Sequence, residues 1–340
     1  MKKILPFLFF FLGVFSFAQQ IESFETIFND KISIRALEIY DNKVWYSGTD
    51  SKFGFIDLKN KSHQKQIKLS EKKLQFRTLA QDKNSFYAIN IESPAYFFKI
   101  DKKSLKHEIV YTDTAKAAFY DALAFSGNKG IALGDPYGKC MNIVKTEDGG
   151  KNWKVLSCEK PFEIEEGEAA FAASNTNIFI HNNEFWFVTG GKKSRQFYSY
   201  DMGKKLFGKE VQFVNGTSST GIYSMDMDPV TRFGIAVGGD YTKQEANINN
   251  IATTNNGGET WQIQASGKNA GYTTCVKIKP GSKGKEIIAV GDQHISYSSD
   301  FGKTWKKISD EKGFFVCEWV DGNTLVLAGK DKVSLMKLKF

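Results

Sequence analysis

The sequence predicts an all-β ring, a seven-bladed β-propeller built on one repeated kind of turn, and three observations predict it. An octet recurs as TEDGGKNW at Thr146 to Trp153, TNNGGETW at Thr254 to Trp261 and SSDFGKTW at Ser298 to Trp305. Its turn position recurs at Asp57, Asp101, Asp148, Asp201, Asn256 and Asp300, with gaps of 44, 47, 53, 55 and 44 residues. A short apolar strand ending in glycine runs ahead of the turns: WYSG at Gly48, IALG at Gly134, FVTG at Gly190, IAVG at Gly238, IAVG at Gly291 and LVLAG at Gly329. A period of about 45 residues holding about four short strands is that of a propeller blade.

The octets share the pattern [Ser/Thr]-x-[Asp/Asn]-x-Gly-x-[Thr/Asn]-Trp. The Asp or Asn side chain of such a turn accepts hydrogen bonds from its own backbone N–H groups, and the Gly supplies a positive φ. The hydroxyl residues tie the flanking strands, and the Trp caps the apolar layer beside them. Segments such as MNIVK or HISYS precede an octet and KVLS or KKIS follow one, so each octet joins two antiparallel strands. Asp148, Asp201, Asn256, Asp300 and the tryptophans Trp153, Trp261 and Trp305 are therefore given structural work, and Asp300-Phe301-Gly302 is read as a turn, not as a metal-binding triplet. SYDMGKKL around Asp201 is a decayed copy that keeps Ser199, Asp201 and Gly203 and has Leu206 in place of Trp. Asp57 and Asp101 align only by spacing and by the strands before them.

Counting the unit around Tyr87 to Asn90, which lacks the glycine, gives seven units, and seven need about 315 residues. The last unit stops at Val333 to Leu338 with no turn and no outer strand, while Ile21 to Phe28 is a spare strand at the other end. That strand is expected to complete the last blade and close the ring, which removes open edges. One domain, residues 19–340, follows.

Residues 1–18 read as a secretory signal peptide: MKK, then the apolar run Ile4 to Phe17, then Ser16-Phe17-Ala18 with small residues at the cleavage site. The chain is thus expected to be exported, to the periplasm or beyond, and cleaved after Ala18. No later segment is long and apolar enough to span a bilayer, so an integral membrane protein is not expected. The 340 residues are 41% hydrophobic, 25% charged and 14% aromatic, an ordinary globular balance. The formal charge of +8 drops to +6 without Lys2 and Lys3. The lysines lie beside turn residues, as in SEKK, DKKS and GKKS, and read as a solvated surface; a nucleic-acid groove would need clustered cations interleaved with aromatics.

With these motifs in view, the octets resemble the Asp-box, or bacterial neuraminidase (BNR) repeat, of sialidases and of photosystem II stability and assembly factor-like propellers. The stretches AFYDALAF, GIALGDPYG, GEAAFAAS, VTGGKKSRQF, GIYSMD, IAVGGDY and GYTTCV extend the resemblance to exported bacterial propellers of the assembly-factor type, over nearly all of the mature chain. Members are often loosely named oxidoreductase or glycosyl hydrolase. The resemblance implies a WD40- or YVTN-like architecture and a binding or assembly role far more firmly than any chemistry.

Ligands of a propeller usually meet the bowl at one mouth of its central channel. The inner strands are expected to begin near Arg35, Arg77, Asp121, Glu168, Tyr223, Tyr272 and Phe315. Arginine is scarce: 42 lysines stand against Arg35, Arg77, Arg195 and Arg232. The planar fork of Arg suits carboxylates in a way that Lys does not. Arg35, Arg77 and Arg195 therefore either form an anion-binding bowl or pair with buried carboxylates such as Asp121, Asp135 and Glu168. GDPY at Gly134 and GGDY at Gly238 place Asp135 and Asp240 just past a strand, as rim residues or as turn caps. The proposed contact set is Arg35, Arg77, Tyr120, Asp121, Asp135, Glu168, Arg195, Asp240, Tyr241 and Tyr272.

The expected role is binding of an envelope protein, or of a carbohydrate or anionic ligand, by a monomer without catalysis. The alternative is a sialidase-like glycoside hydrolase, which would use the arginines with Tyr120, Tyr223 or Tyr272 and with Asp121 and Glu168; no catalytic residue is assigned. Against it, the chain counts seven units where matching sialidases have six, and Phe76-Arg77-Thr78-Leu79 only faintly echoes the Phe-Arg-Ile-Pro signature. No cofactor is expected: GGKKS lacks the first glycine of a phosphate loop, and no G-x-G-x-x-G opens a helix. The four histidines have no ligand spacing, and EIEEGE at Glu163 to Glu168 reads as a solvated loop, so no metal is expected. Cys140 and Cys158 lie nine residues either side of Gly149 and should face each other as a disulfide across an octet hairpin. Cys275 and Cys317, at equivalent places on neighbouring inner strands, either bridge or remain buried thiols.

Overall fold

The computed structural model describes residues 20–158 and 163–339; the expected signal peptide lies outside them. The described residues form 28 β-strands and no helix, hence no helix long and apolar enough to cross a membrane. The strands make antiparallel meanders such as Tyr120–Ser126, Lys129–Tyr137, Cys140–Thr146 and Lys154–Val155, which pair in that order. The apolar strands are buried along their whole length, as in Ser85–Ile89 and Ile287–Gly291, because both faces of a blade pack against neighbours.

Six hydrogen-bonded sheets stand where seven separate blades were expected. The physical reason is chain continuity. The strand Gln20–Tyr40 pairs over Gln20 to Ser33 with Thr324–Lys339, and over Ile34 to Tyr40 with Lys43–Gly48. The last and first repeat units thereby share one six-stranded sheet. A second six-stranded sheet arises because the short strands Glu168–Ala169 and Gly190–Gly191 add to Thr220–Met227.

The core clusters each join consecutive units. Trp45 and Phe53 pack with Phe86 and Phe98, Tyr87 and Phe97 with Tyr120 and Trp153, and Ile131 and Ile143 with Phe185 and Phe197. Trp186 and Val188 follow with Ile222, then Ile235 with Val276 and Ile287. Ile288 and Tyr297 with Phe314, Leu327, Val44 and Tyr46 return the circuit to its start, so the sheets form a closed propeller. Trp45 and Phe86 stand 4.5 Å apart between ring centroids, and Tyr87 and Phe125 stack at 4.3 Å. Pairs like these add about 0.5–1.5 kcal/mol beyond the area they bury.

At the outer turns, Thr146 Oγ1 donates to Asp148 at 2.9 Å and accepts the Gly150 N–H at 3.0 Å, while Asp148 accepts the Lys151 and Asn152 N–H groups at 3.0 and 2.9 Å. The same pattern holds for Ser199 with Asp201, Thr254 with Asn256 and Ser298 with Asp300. Gly150 and Gly258 take φ of 68° and 95° within these turns. Burial works against ionisation of Asp148, yet the bonds from Asn152, Thr146 and Lys151 hold its carboxyl down at about 2. A carboxylate so engaged is a brace. Asp57 and Asp101 also cap their turns, through the N–H groups two and three residues on. Cys140 and Cys158 are joined by a disulfide with Cα atoms 6.0 Å apart. Cys275 and Cys317 are buried free thiols whose sulfurs lie 3.9 Å apart.

Candidate functional site at the channel mouth

One local device builds the mouth. Four inner strands carry a β-bulge near their start, and the residue left over in the register is Arg35, Asp121, Tyr223 or Phe315. A bulge leaves its extra residue unpaired and re-aims that side chain. The partner strand at each bulge carries a glycine of the column there: Gly48, Gly134, Gly238 or Gly329. A Cβ on Gly48 would lie 2.7 Å from the Ser33 carbonyl oxygen, and one on Gly329 only 1.9 Å from that of Gly313. The glycines are there because the bulged backbone presses against them.

Three of the bulged residues, Arg35, Tyr223 and Phe315, help to enclose a cavity of about 390 Å³ lined also by Arg77, Phe171 and Tyr272, with Tyr241, Gln244, Thr274 and Asp292 on its wall; Asp121 is not in the lining. One wall is aromatic: Phe171 stacks on Tyr223 at 3.9 Å, and Tyr223 meets Tyr272 edge-on at 4.9 Å. Arg35 lies over the Phe315 ring at 4.1 Å and donates from Nη1 to the Ala173 carbonyl at 2.9 Å, while its buried Nε has no partner. Arg77 donates to the Ala172 carbonyl at 3.3 Å. Among the described residues neither guanidinium is within ion-pair distance of a carboxylate. Burial, and then the like charge of Arg77, lowers Arg35 to about 10. Burial also lowers Arg77, against the pull of Asp121 and Glu92. Two cations share a partly dry mouth whose lining carboxylate, Asp292, lies outside ion-pair distance of both.

The other expected contact residues are placed differently. Tyr241 stands at the rim, 51% exposed, and Tyr272 lies beneath it. Asp240 is buried and caps the turn at Thr242, accepting its N–H at 2.9 Å and its hydroxyl at 2.7 Å. Tyr120 points between blades, not into the mouth: its hydroxyl donates to Asp113 at 2.8 Å and accepts from Asn142 at 3.0 Å. Arg195 does not join the other arginines either. Its Nε donates to both oxygens of Glu168, at 2.9 and 3.0 Å, and its Nη2 donates to Oε2 at 2.6 Å. The Glu168 side chain is fully buried and also accepts the Thr189 hydroxyl. Asp121 and Asp135 sit together beside Arg77.

Sequence reasoning left Phe171, Gln244, Asp292 and Phe315 out of the contact set, and Tyr223 entered only as a sialidase part. The glycine column was the available signal, since Gly48, Gly134, Gly238 and Gly329 each sit opposite a bulge. His294 is buried under the site, its ring bonded to Ser296 Oγ and to the Tyr272 carbonyl oxygen. Among the described residues no three His, Cys, Asp or Glu side chains converge as a metal site would.

The fold is that of known β-propellers. A structure of YCF48 bound to D1 peptide superposes with a TM-score of 0.64 at 14% identity, covering 93% of this chain and 97% of that one. YCF48 from Cyanidioschyzon merolae gives 0.68 at 12% identity, covering 92% and 98%. U3-55K gives 0.67 at 10% identity, covering 94% and 100%. No family model matches the sequence, and no curated protein is similar to it.

Proposed function

We propose that the chain is a protein-binding module of the assembly-factor kind, exported by its first 18 residues, whose channel mouth receives an anionic group of a partner. The outer turns are read as Asp-boxes of a BNR repeat, ring-building parts without chemistry. The observation that carries the binding role is the pair Arg35 and Arg77, in one cavity without a carboxylate partner. A desolvated guanidinium keeps unused donors at a cost, and an incoming carboxylate or phosphate would relieve it with charge-assisted hydrogen bonds. The aromatic wall beside them suits an apolar side chain next to that group. In support, a propeller of the same fold has been solved with a D1 peptide bound.

The glycosidase reading finds Arg35, Arg77, Tyr223 and Tyr272 in one cavity but neither of the carboxylates assigned to it, Asp121 and Glu168, in the lining. Glu168 and Arg195, two of its parts, are committed to each other, and Tyr120 is committed to Asp113. The test is capture of partners from the envelope fraction by wild type and by an Arg35→Ala/Arg77→Ala double variant that retains its fold. Loss of a specific captured protein supports the proposal; equal capture by both removes the mouth from it.

A further inference from the structure

Asp121 and Asp135 present an unusual problem at the edge of the same mouth. Asp121 is 1% exposed, and its Oδ2 is buried without a hydrogen-bond partner; Oδ1 of Asp135 is likewise buried and unpartnered. The two belong to paired antiparallel strands. The bulge at Asp121 falls where Leu133 opposes Ala122 and Gly134 opposes Tyr120, and the Asp135 N–H returns to the Phe119 carbonyl at 2.9 Å. They are therefore diagonal cross-strand neighbours, near enough for the charge of one to act on the other. From the preceding unit Arg77 and Glu92 face this corner. In the following unit Glu168 and Arg195 are already paired, and within the same unit Asp113, Tyr120 and Tyr137 bond one another on the other side of the strand. No cation lies within ion-pair distance of either aspartate among the described residues, yet a fully buried carboxylate and a half-buried one beside it, whose Oδ1 is shut off from solvent, cannot both carry full charge without a cation.

We propose that Asp121 and Asp135 share one proton, and that this proton sets how much of the Arg77 charge is offered to a ligand. Burial pushes both carboxyls upward; for Asp121 the neighbouring Asp135 adds to the rise and Arg77 opposes it. The sign follows. While the proton is held, the pair carries at most one negative charge and Arg77 remains available. As pH rises the proton leaves, the pair becomes a dianion, and it competes with any anion for Arg77. Ligand affinity should fall with rising pH. The proton itself does not depend on the proposed binding role; its consequence does.

The test uses the full mature protein labelled with ¹³C at the aspartate carboxyls. The carboxyl signals assigned to Asp121 and Asp135 should together register one proton still held above about pH 6, where ordinary aspartates, with values of about 4, are ionised. Asp121→Asn should remove one signal and return the other toward the ordinary range. The buried Asp226, itself raised to about 6, is told apart by being untouched in the variant. Complete ionisation of both Asp121 and Asp135 by about pH 5 would overturn the inference. A second arm titrates sulfate, which stays a dianion throughout. Its affinity should weaken about tenfold between about pH 5 and pH 8, as one further charge a few ångströms away would cause. In Asp121→Asn it should be nearly flat. Sulfate binding that is absent or indifferent to pH in wild type, with the shared proton present, would refute its control of the mouth. Equal partner capture by the arginine double variant, by contrast, would sink the binding role and leave the proton standing.

Discussion

Two arginine sites in this ring meet burial in opposite ways. Arg195 has its own fully buried carboxylate, gripped through three N–H···O contacts to Glu168. Arg35 and Arg77 have backbone carbonyls, an aromatic ring and each other. The first site is complete within the chain and braces the loop from Glu163 to Glu168, whose Glu163 carbonyl also receives Arg195. The second is complete only with something from outside. Scarcity of arginine marks both equally, so the difference lies in the partners alone.

The sharpest way to break that contrast is Glu168→Ala. It would leave Arg195 largely buried without its carboxylate, a change that costs about 3–5 kcal/mol when one member of a buried pair is removed. Urea unfolding of the variant measures it. A loss below about 1 kcal/mol would mean that the pair is solvated and that the two arginine sites are not different in kind.

A smaller effect is expected at the outer turns, which are also self-contained but exposed. Asp148→Ala removes an acceptor for two backbone N–H groups and for the Thr146 hydroxyl. Water can replace part of this, so the cost should be about 1–2 kcal/mol, read as a lowered unfolding midpoint with partner capture unchanged. If capture fails instead, the turns are not merely structural.

The outer turns were the most legible part of the sequence, because everything they need lies within eight residues. Ser or Thr, Asp or Asn, and Gly satisfy one another locally, so the decayed copy at Ser199 to Gly203 keeps the hydroxyl-to-carboxylate and glycine N–H bonds of the intact ones. The number of sheets was not legible in this way. The pairing of Ile21 to Phe28 with the last unit was expected, but that the same strand runs on unbroken into the first unit and merges the two into one sheet is a matter of chain continuity that no local signal carries. The mouth falls between these cases. The glycine column was visible, and so was the height shared by Arg35 and Arg77. What the column meant was not visible, since a bulge is a relation between two strands and aims Tyr223 and Phe315 inward only once both are in place. The Glu168–Arg195 pair was one of two open readings for all three arginines. Residue type could not decide which arginine took which, because 27 residues of loop and strand separate that pair.

The smallest expected effect on stability, and the most informative, belongs to Arg35→Met. Methionine keeps an unbranched apolar stem and removes the guanidinium that lies over Phe315, its charge and donors together. In wild type that charge is partly desolvated, repelled by Arg77 and bonded through Nη1 to one carbonyl, with Nε idle. Removing it should therefore shift the unfolding free energy by no more than about 1 kcal/mol, and a gain is as consistent with the physics as a loss. Partner capture should fall at the same time, because the donors lost are those a ligand would have used. Stability and binding then move independently at Arg35, while at Glu168 the dominant change is in stability. A large destabilisation by Arg35→Met would show that the guanidinium is held by the chain after all, and the contrast between a finished and an unfinished arginine site would disappear.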